Sequence, residues 1–94
     1  MPAVFRILST AAFERNSRKL TRKRPELAIR LNEALDTLEQ DPYNTSQGAD
    51  IKKLAGVKPG EGQWRIRLGS YRLRYDIADR DVVLHSFRHP REAY

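Results

Sequence analysis

The sequence predicts an α+β fold: an N-terminal strand, then a two-helix antiparallel hairpin packed on a small, mostly antiparallel sheet, in the order β-α-α-β-β-β. Three observations carry that expectation. Leu27, Leu31, Ala34, Leu35 and Leu38 recur at intervals of three and four, the period of a helix with one buried face. From Trp64 onward the period changes to two, the signature of half-buried strands. A short apolar run, Val4-Phe5-Arg6-Ile7-Leu8, precedes the helical pattern and stops at Ser9-Thr10. Ninety-four residues suit one modest core, so a single domain over 1–94 is expected.

The elements follow in chain order. Residues 3–8 read as a strand, and Thr10 is suited to cap the helix that comes next. In that helix, Ala12, Phe13 and Leu20 share one face while Arg15, Arg18 and Lys19 lie elsewhere. Thr21-Arg22-Lys23-Arg24 reads as a turn, and Pro25 fits the first turn of a second helix. Asp41-Pro42-Tyr43-Asn44 ends the second helix, because proline cannot continue the ladder and restricts the residue before it. A polar loop runs to Asp50. Residues 51–54, IKKL, are compatible with a short edge strand ahead of the glycine-rich loop Gly56 to Gly62.

Trp64, Ile66 and Leu68 alternate with Arg65 and Arg67. After Gly69-Ser70, Tyr71, Leu73, Tyr75 and Ile77 alternate with Arg72, Arg74 and Asp76. A Gly-X pair predicts a two-residue type II′ turn, which sets the register: Leu68 opposite Tyr71, Arg67 opposite Arg72, Ile66 opposite Leu73, Arg65 opposite Arg74 and Trp64 opposite Tyr75. A second hairpin through Asp79-Arg80 leads to a strand over 82–87. Its simplest register sets His85 across from Arg74 and Phe87 across from Arg72.

Composition narrows the function classes. With no cysteine, disulfides and thiolate metal sites are excluded, and no apolar run approaches the roughly 20 residues that span a bilayer. The N terminus lacks the apolar stretch and cleavage site of a secretory signal. A cytoplasmic protein without a membrane partner is expected. A net charge of +6 and a pI of about 10.1 favour association with a polyanion through counterion release.

The hairpin register gathers that charge. Like charges opposite each other destabilise a sheet in which cross-strand pairs contribute roughly 0.2–1 kcal/mol. Two arginine pairs therefore call for a counter-charge, and Asp76, the acid on these strands, cannot neutralise four guanidiniums. An external anion would. Plain solvation of an open sheet face is the alternative, but such faces mix lysine with acids. The last third of the chain instead carries Arg65, Arg67, Arg72, Arg74, Arg80, Arg88 and Arg91 without a lysine. Arginine suits phosphate because its planar fork makes two parallel hydrogen bonds and stays charged. Captured phosphate is either simply bound or stabilised as the phosphorane of RNA cleavage.

Proton-transfer candidates lie near the C terminus. His89 titrates in the range for general acid–base work, and Tyr94 stacks on a base or donates a proton. The alternatives are a surface histidine at a strand end and a packed tail aromatic. His85 and His89 sit four apart, on one face of an uninterrupted strand, without a third ligand; no metal site is expected. The glycine-rich loop is not followed by a helix N-terminus and reads as a flexible loop rather than a phosphate cradle.

The pattern Lys53-Leu54-x-Gly56, then Trp64-Arg65-Ile66-Arg67-Leu68-Gly69-x-Tyr71-Arg72-Leu73-x-Tyr75, then a hairpin and Arg91-Glu92-x-Tyr94, resembles the RelE/ParE superfamily of toxin–antitoxin toxins. The resemblance spans the chain, is specific at the strands, and favours the RelE-like branch. It implies a ribosome-dependent endoribonuclease, an mRNA interferase that cuts messenger in the A site by metal-independent attack of the 2′-hydroxyl on the adjacent phosphate, with no cofactor. By that resemblance Arg65 helps activate the hydroxyl, Arg67 and Arg72 stabilise the phosphorane, Arg88, His89 or Arg91 assists the leaving oxygen, and Tyr94 stacks on or orients the nucleotide. Lys52, Lys53, Arg74 and Arg88 are expected to contact RNA. Many members carry lysine where Arg65 and Arg67 stand here, and arginine is the poorer base. Expected partners are a cognate antitoxin, in a toxin–antitoxin hetero-oligomer, and the mRNA-bearing ribosome. DNA gyrase inhibition of the ParE type and a non-catalytic basic RNA-binding module are the alternatives.

Overall fold

The computed structural model describes residues 4–89. Arg91, Glu92 and Tyr94 therefore lie outside the described residues. The first strand, β1 (Arg6–Ser9), starts later than the apolar run suggests, because the N–H groups of Val4 and Phe5 both donate to the Glu39 carbonyl oxygen instead of to a strand. Thr10 then caps α1 (Ala11–Lys23): its Oγ1 accepts from the Phe13 N–H at 3.1 Å and donates to the Leu84 carbonyl at 2.9 Å, fastening the helix start to the sheet.

Helix α1 continues through Thr21-Arg22-Lys23, where the sequence suggests a turn. The Thr21 hydroxyl folds back onto the Ser17 carbonyl, and Arg22 and Lys23 sit in the last turn, where cations suit the helix dipole. Arg24 alone separates α1 from α2 (Pro25–Gln40), which opens on its proline as expected. Phe13 and Leu20 from α1, with Leu27, Leu31, Ala34 and Leu38 from α2, form the helical half of the core.

Residues Ile51–Lys53 do form a strand, β2, so four strands follow the helices: β2, β3 (Trp64–Leu68), β4 (Tyr71–Ala78) and β5 (Asp81–Arg88). The five strands make one sheet in the order β1-β5-β4-β3-β2, with β1 parallel to β5 and every other pair antiparallel. The helices cover one face, against Ile66, Leu68, Leu73, Tyr75, Val82, Leu84 and Phe87. Tyr75 is fully buried and its hydroxyl donates to the Pro42 carbonyl at 2.7 Å.

The β3–β4 hairpin has the expected register, pair for pair from Leu68/Tyr71 to Trp64/Tyr75. Gly69 takes φ +62°, as the first position of a type II′ turn requires, and a Cβ there would meet the Arg30 guanidinium at 2.6 Å. The β4–β5 register departs from expectation. The simple pairing holds from Ala78/Asp81 to Tyr75/Leu84, then slips by one residue, so that Arg74 faces Ser86, Leu73 faces Phe87 and Arg72 faces Arg88. His85 is the extra residue of a β-bulge. Without the slip Phe87 would stand on the open face beside arginine. With it, Phe87 is fully buried against Phe13 and Tyr71. The bulge also puts the two histidines on opposite faces, contrary to the uninterrupted-strand expectation.

Candidate functional site

The uncovered face of the sheet carries two cross-strand rows of polar side chains. One row runs Lys52, Arg65, Arg74, Ser86; the next runs Arg67, Arg72, Arg88. Period-two alternation places them there, since their strand neighbours are the apolar residues that meet the helices.

Within the first row, internal acceptors hold the two arginines. Arg65 reaches Asp50, Nη1 to Oδ1 3.5 Å, and its side chain is 13% exposed. Arg74 turns away from it: Nε and Nη2 donate to the Gly62 carbonyl oxygen at 3.0 and 2.9 Å. The facing pair is thus drawn in opposite directions along the strands, Arg65 toward Asp50 beside Arg67 and Arg74 toward the start of β3. Gly62 holds φ +82°, and a Cβ there would stand 3.0 Å from the Arg74 Cβ, so this loop end accepts only glycine without strain.

Asp76, which the sequence offers as a nearby counter-charge too small for four guanidiniums, anchors the same loop instead of pairing with the arginines. Its carboxylate accepts from the N–H groups of Gly60 (2.9 Å), Gly62 (3.0 Å) and Gln63 (2.9 Å), and lies 2.7 Å from His85 Nε2. Burial alone would raise its pKa. The N–H bonds of Gln63 and Gly62, then the His85 charge and the Gly60 N–H, outweigh that and hold it below the usual carboxylate range. The loop expected to be flexible is therefore pinned at its C-terminal end. The acid among the arginines is Asp50, which also lies 3.7 Å from Arg67 Nη1. Its signal was in the sequence, since Asp50 and Lys52 alternate in the period of two.

The second row is open. Arg67 is half-exposed, while Arg72 and Arg88 are exposed and hold no hydrogen bond or ion pair among the described residues. A groove of about 420 Å³ runs between these side chains and β2, lined by Lys52, Lys53, Leu54, Ala55, Arg65, Arg67 and Arg72. The structure thus brings together five expected site residues: Lys52, Lys53, Arg65, Arg67 and Arg72. Arg88 stands beside Arg72 at the rim, and Arg74 is withdrawn onto the loop backbone. His89 lies on the helix-covered side, its ring edge-on to Tyr71 at 5.3 Å. Such a concentration of guanidinium and ammonium groups, with one carboxylate at its flank, is built to receive an anion whose geometry matches a fork.

Comparison with known proteins gives this arrangement a family. Residues 7–94 match the family model of the ParE toxin of type II toxin–antitoxin systems, parDE. Among solved structures, the chain is similar to a chain of the archaeal RelE–RelB complex from Pyrococcus horikoshii OT3, at 23% identity and a TM-score of 0.68, covering 92% of this chain and 94% of that one. It is also similar to a chain of the RelB–RelE antitoxin–toxin complex from Methanococcus jannaschii, at 22% identity and a TM-score of 0.57, covering 93% and 94%. No curated protein gives a match. No helix among the described residues is long and apolar enough to cross a membrane. The two helices on an open five-stranded sheet are the fold shared with those archaeal chains, and the protein belongs to the ParE toxin family, a toxin of the RelE/ParE superfamily of type II toxin–antitoxin systems.

Proposed function

We propose that this toxin is a ribosome-dependent endoribonuclease that cleaves mRNA in the A site. The observation that carries the reading is the basic groove, in which Arg72 is exposed and unpaired between Arg67 and Arg88. In the reaction the 2′-oxygen bonds to the adjacent phosphorus and the bond to the 5′-oxygen breaks. A 2′,3′-cyclic phosphate and a 5′-hydroxyl result, with one proton leaving the 2′-hydroxyl and one reaching the departing oxygen. Arg72 and Arg67 grip the non-bridging oxygens, whose charge grows in the phosphorane, so their attraction is strongest at the transition state. Arg65, drawn toward Asp50, is oriented along the groove floor. Lys52 is its cross-strand partner and supplies an amine, a better base than a guanidinium, next to the position that the family resemblance assigns to hydroxyl activation. The resemblance gives Arg91 and Tyr94 the leaving-group and stacking roles. Guanidinium charge does the work of a metal in this scheme, and no cofactor enters it.

The partners that go with this reading are an antitoxin with an acidic binding segment, as the RelB-bound relatives suggest, and a programmed ribosome in the cytoplasm. Gyrase inhibition is the second reading, and the ParE family match favours it. The test is purified toxin with mRNA-programmed ribosomes, read by primer extension, beside a gyrase supercoiling assay. A-site cuts that disappear with Arg72→Ala support the nuclease. Uncut messenger with gyrase-linked DNA breaks overturns it.

A further inference from the structure

The groove on the open face is not the largest basic concavity. A cleft of about 830 Å³ opens on the other side of the sheet end, between the C-terminal half of α1 and the ends of β4 and β5. Lys19, Lys23 and Arg24 line it from the helix hairpin, Arg88 from the sheet, and among the described residues no carboxylate lines it. Its wall is aromatic: Tyr71 packs against Phe87 at 5.7 Å and meets the His89 ring edge-on.

The two concavities meet at one pair of residues. Arg72 lines the groove, Arg88 lines the cleft, and they are cross-strand partners, both exposed. A line of cations therefore runs from Lys52 and Arg67 over Arg72 and Arg88 to Lys23 and Lys19. We propose that the cleft is a second subsite for single-stranded RNA, taking nucleotides of the strand whose phosphate sits in the groove. The cations follow the backbone, and the partly exposed rings of Tyr71 and His89 receive a base. An acidic peptide would satisfy the charge alone. The ring wall and the continuity through Arg88 favour the nucleic acid. This inference rests on the RNA reading of the groove.

The test uses the full chain and 2′-O-methyl RNA of three and ten nucleotides, which lacks the attacking hydroxyl, so binding is read without cleavage. Fluorescence anisotropy is measured from 50 to 300 mM salt for the native protein, for Lys19→Ala/Lys23→Ala, and for Arg72→Ala. Lys19 and Lys23 are exposed on α1, so the double variant should fold normally, as checked by circular dichroism. The expected result is that the double variant loses about tenfold in affinity for the ten-mer but not for the three-mer. Its log–log salt slope should fall by about 1.4, two single-strand phosphate contacts at about 0.7 each. Unchanged ten-mer affinity and slope in the double variant, with Arg72→Ala weakened, overturns the cleft subsite and leaves the groove reading intact. So does a double variant that loses binding to poly-glutamate while keeping RNA. Native protein that binds neither RNA length overturns the cleft subsite, and the groove reading is then decided by the programmed-ribosome assay.

Discussion

The two rows of the open face hold the same kind of residue in the same kind of register, yet they behave as different materials. In the row of Arg65 and Arg74, each guanidinium finds an acceptor inside the fold: Asp50 on one side, the Gly62 carbonyl on the other. In the row of Arg67, Arg72 and Arg88, Arg67 shares the Asp50 carboxylate at 3.7 Å, and the other two hold no hydrogen bond or ion pair among the described residues. Facing arginines are therefore not by themselves a binding site. What separates structure from function here is whether an acceptor lies within reach: the Gly62 carbonyl takes Arg74 and Asp50 takes Arg65 and Arg67, which leaves Arg72 and Arg88 open among the described residues.

That contrast can be broken by substitution. Arg72→Ala should lower ribosome-dependent cleavage by about 10²–10³-fold, the scale for removing a preorganised transition-state donor, with no loss of thermal stability. A comparable fall in Tm would place Arg72 among the structural arginines. Asp76→Ala should do the reverse. It strands three backbone N–H groups and His85, costs about 3 kcal/mol and lowers Tm by more than about 10 °C, as calorimetry would show.

Acidity tests the same anchor. The folded pKa of Asp76 lies below its unfolded value, so its contribution is fully present above about pH 4 and is lost as the pH falls through the folded pKa. Asp41 behaves alike. Burial would raise it, but the N–H and hydroxyl groups of Ser46 and Thr45 hold it well below the usual range. Urea midpoints between pH 7 and pH 2 should therefore decline in acid, and the decline should be shallower in Asp76→Asn. A slope unchanged by that substitution would assign the acid sensitivity elsewhere.

Smaller effects sharpen the picture. Gly62→Ala should cost about 1–2 kcal/mol through its left-handed φ and the close Arg74 Cβ, measured by urea denaturation. Arg74→Ala should cost about 1 kcal/mol by the same measurement, through two hydrogen bonds to one carbonyl, while weakening RNA binding less than Arg72→Ala does. Equal losses of RNA affinity would return Arg74 to the binding face.

Local pattern made much of this molecule legible. The helical period of Leu27 to Leu38, the proline opening α2, the Thr10 cap and the Gly69-Ser70 turn each act over a few residues, so composition and spacing were enough to place them. The same period of two put Arg65, Arg67 and Arg72 on one surface, and loop length alone set their pairing. The family resemblance drew on those strands as well.

Three features were decided by tertiary structure, because each depends on partners distant in sequence. The bulge at His85 exists because burying Phe87 against Phe13 outweighs one regular ladder position, and no local signal weighs a strand residue against a helix some seventy residues earlier. The fate of Asp76 was settled by backbone N–H groups of a loop thirteen to sixteen residues away. The division of the arginines into held and free depended on where Asp50 and Gly62 come to rest. Sequence by itself determined that this chain would present a basic sheet face, since alternation and turn length are local. Only the fold decided which of those charges remain open to an anion, since that is a question of which acceptors lie within three or four ångströms.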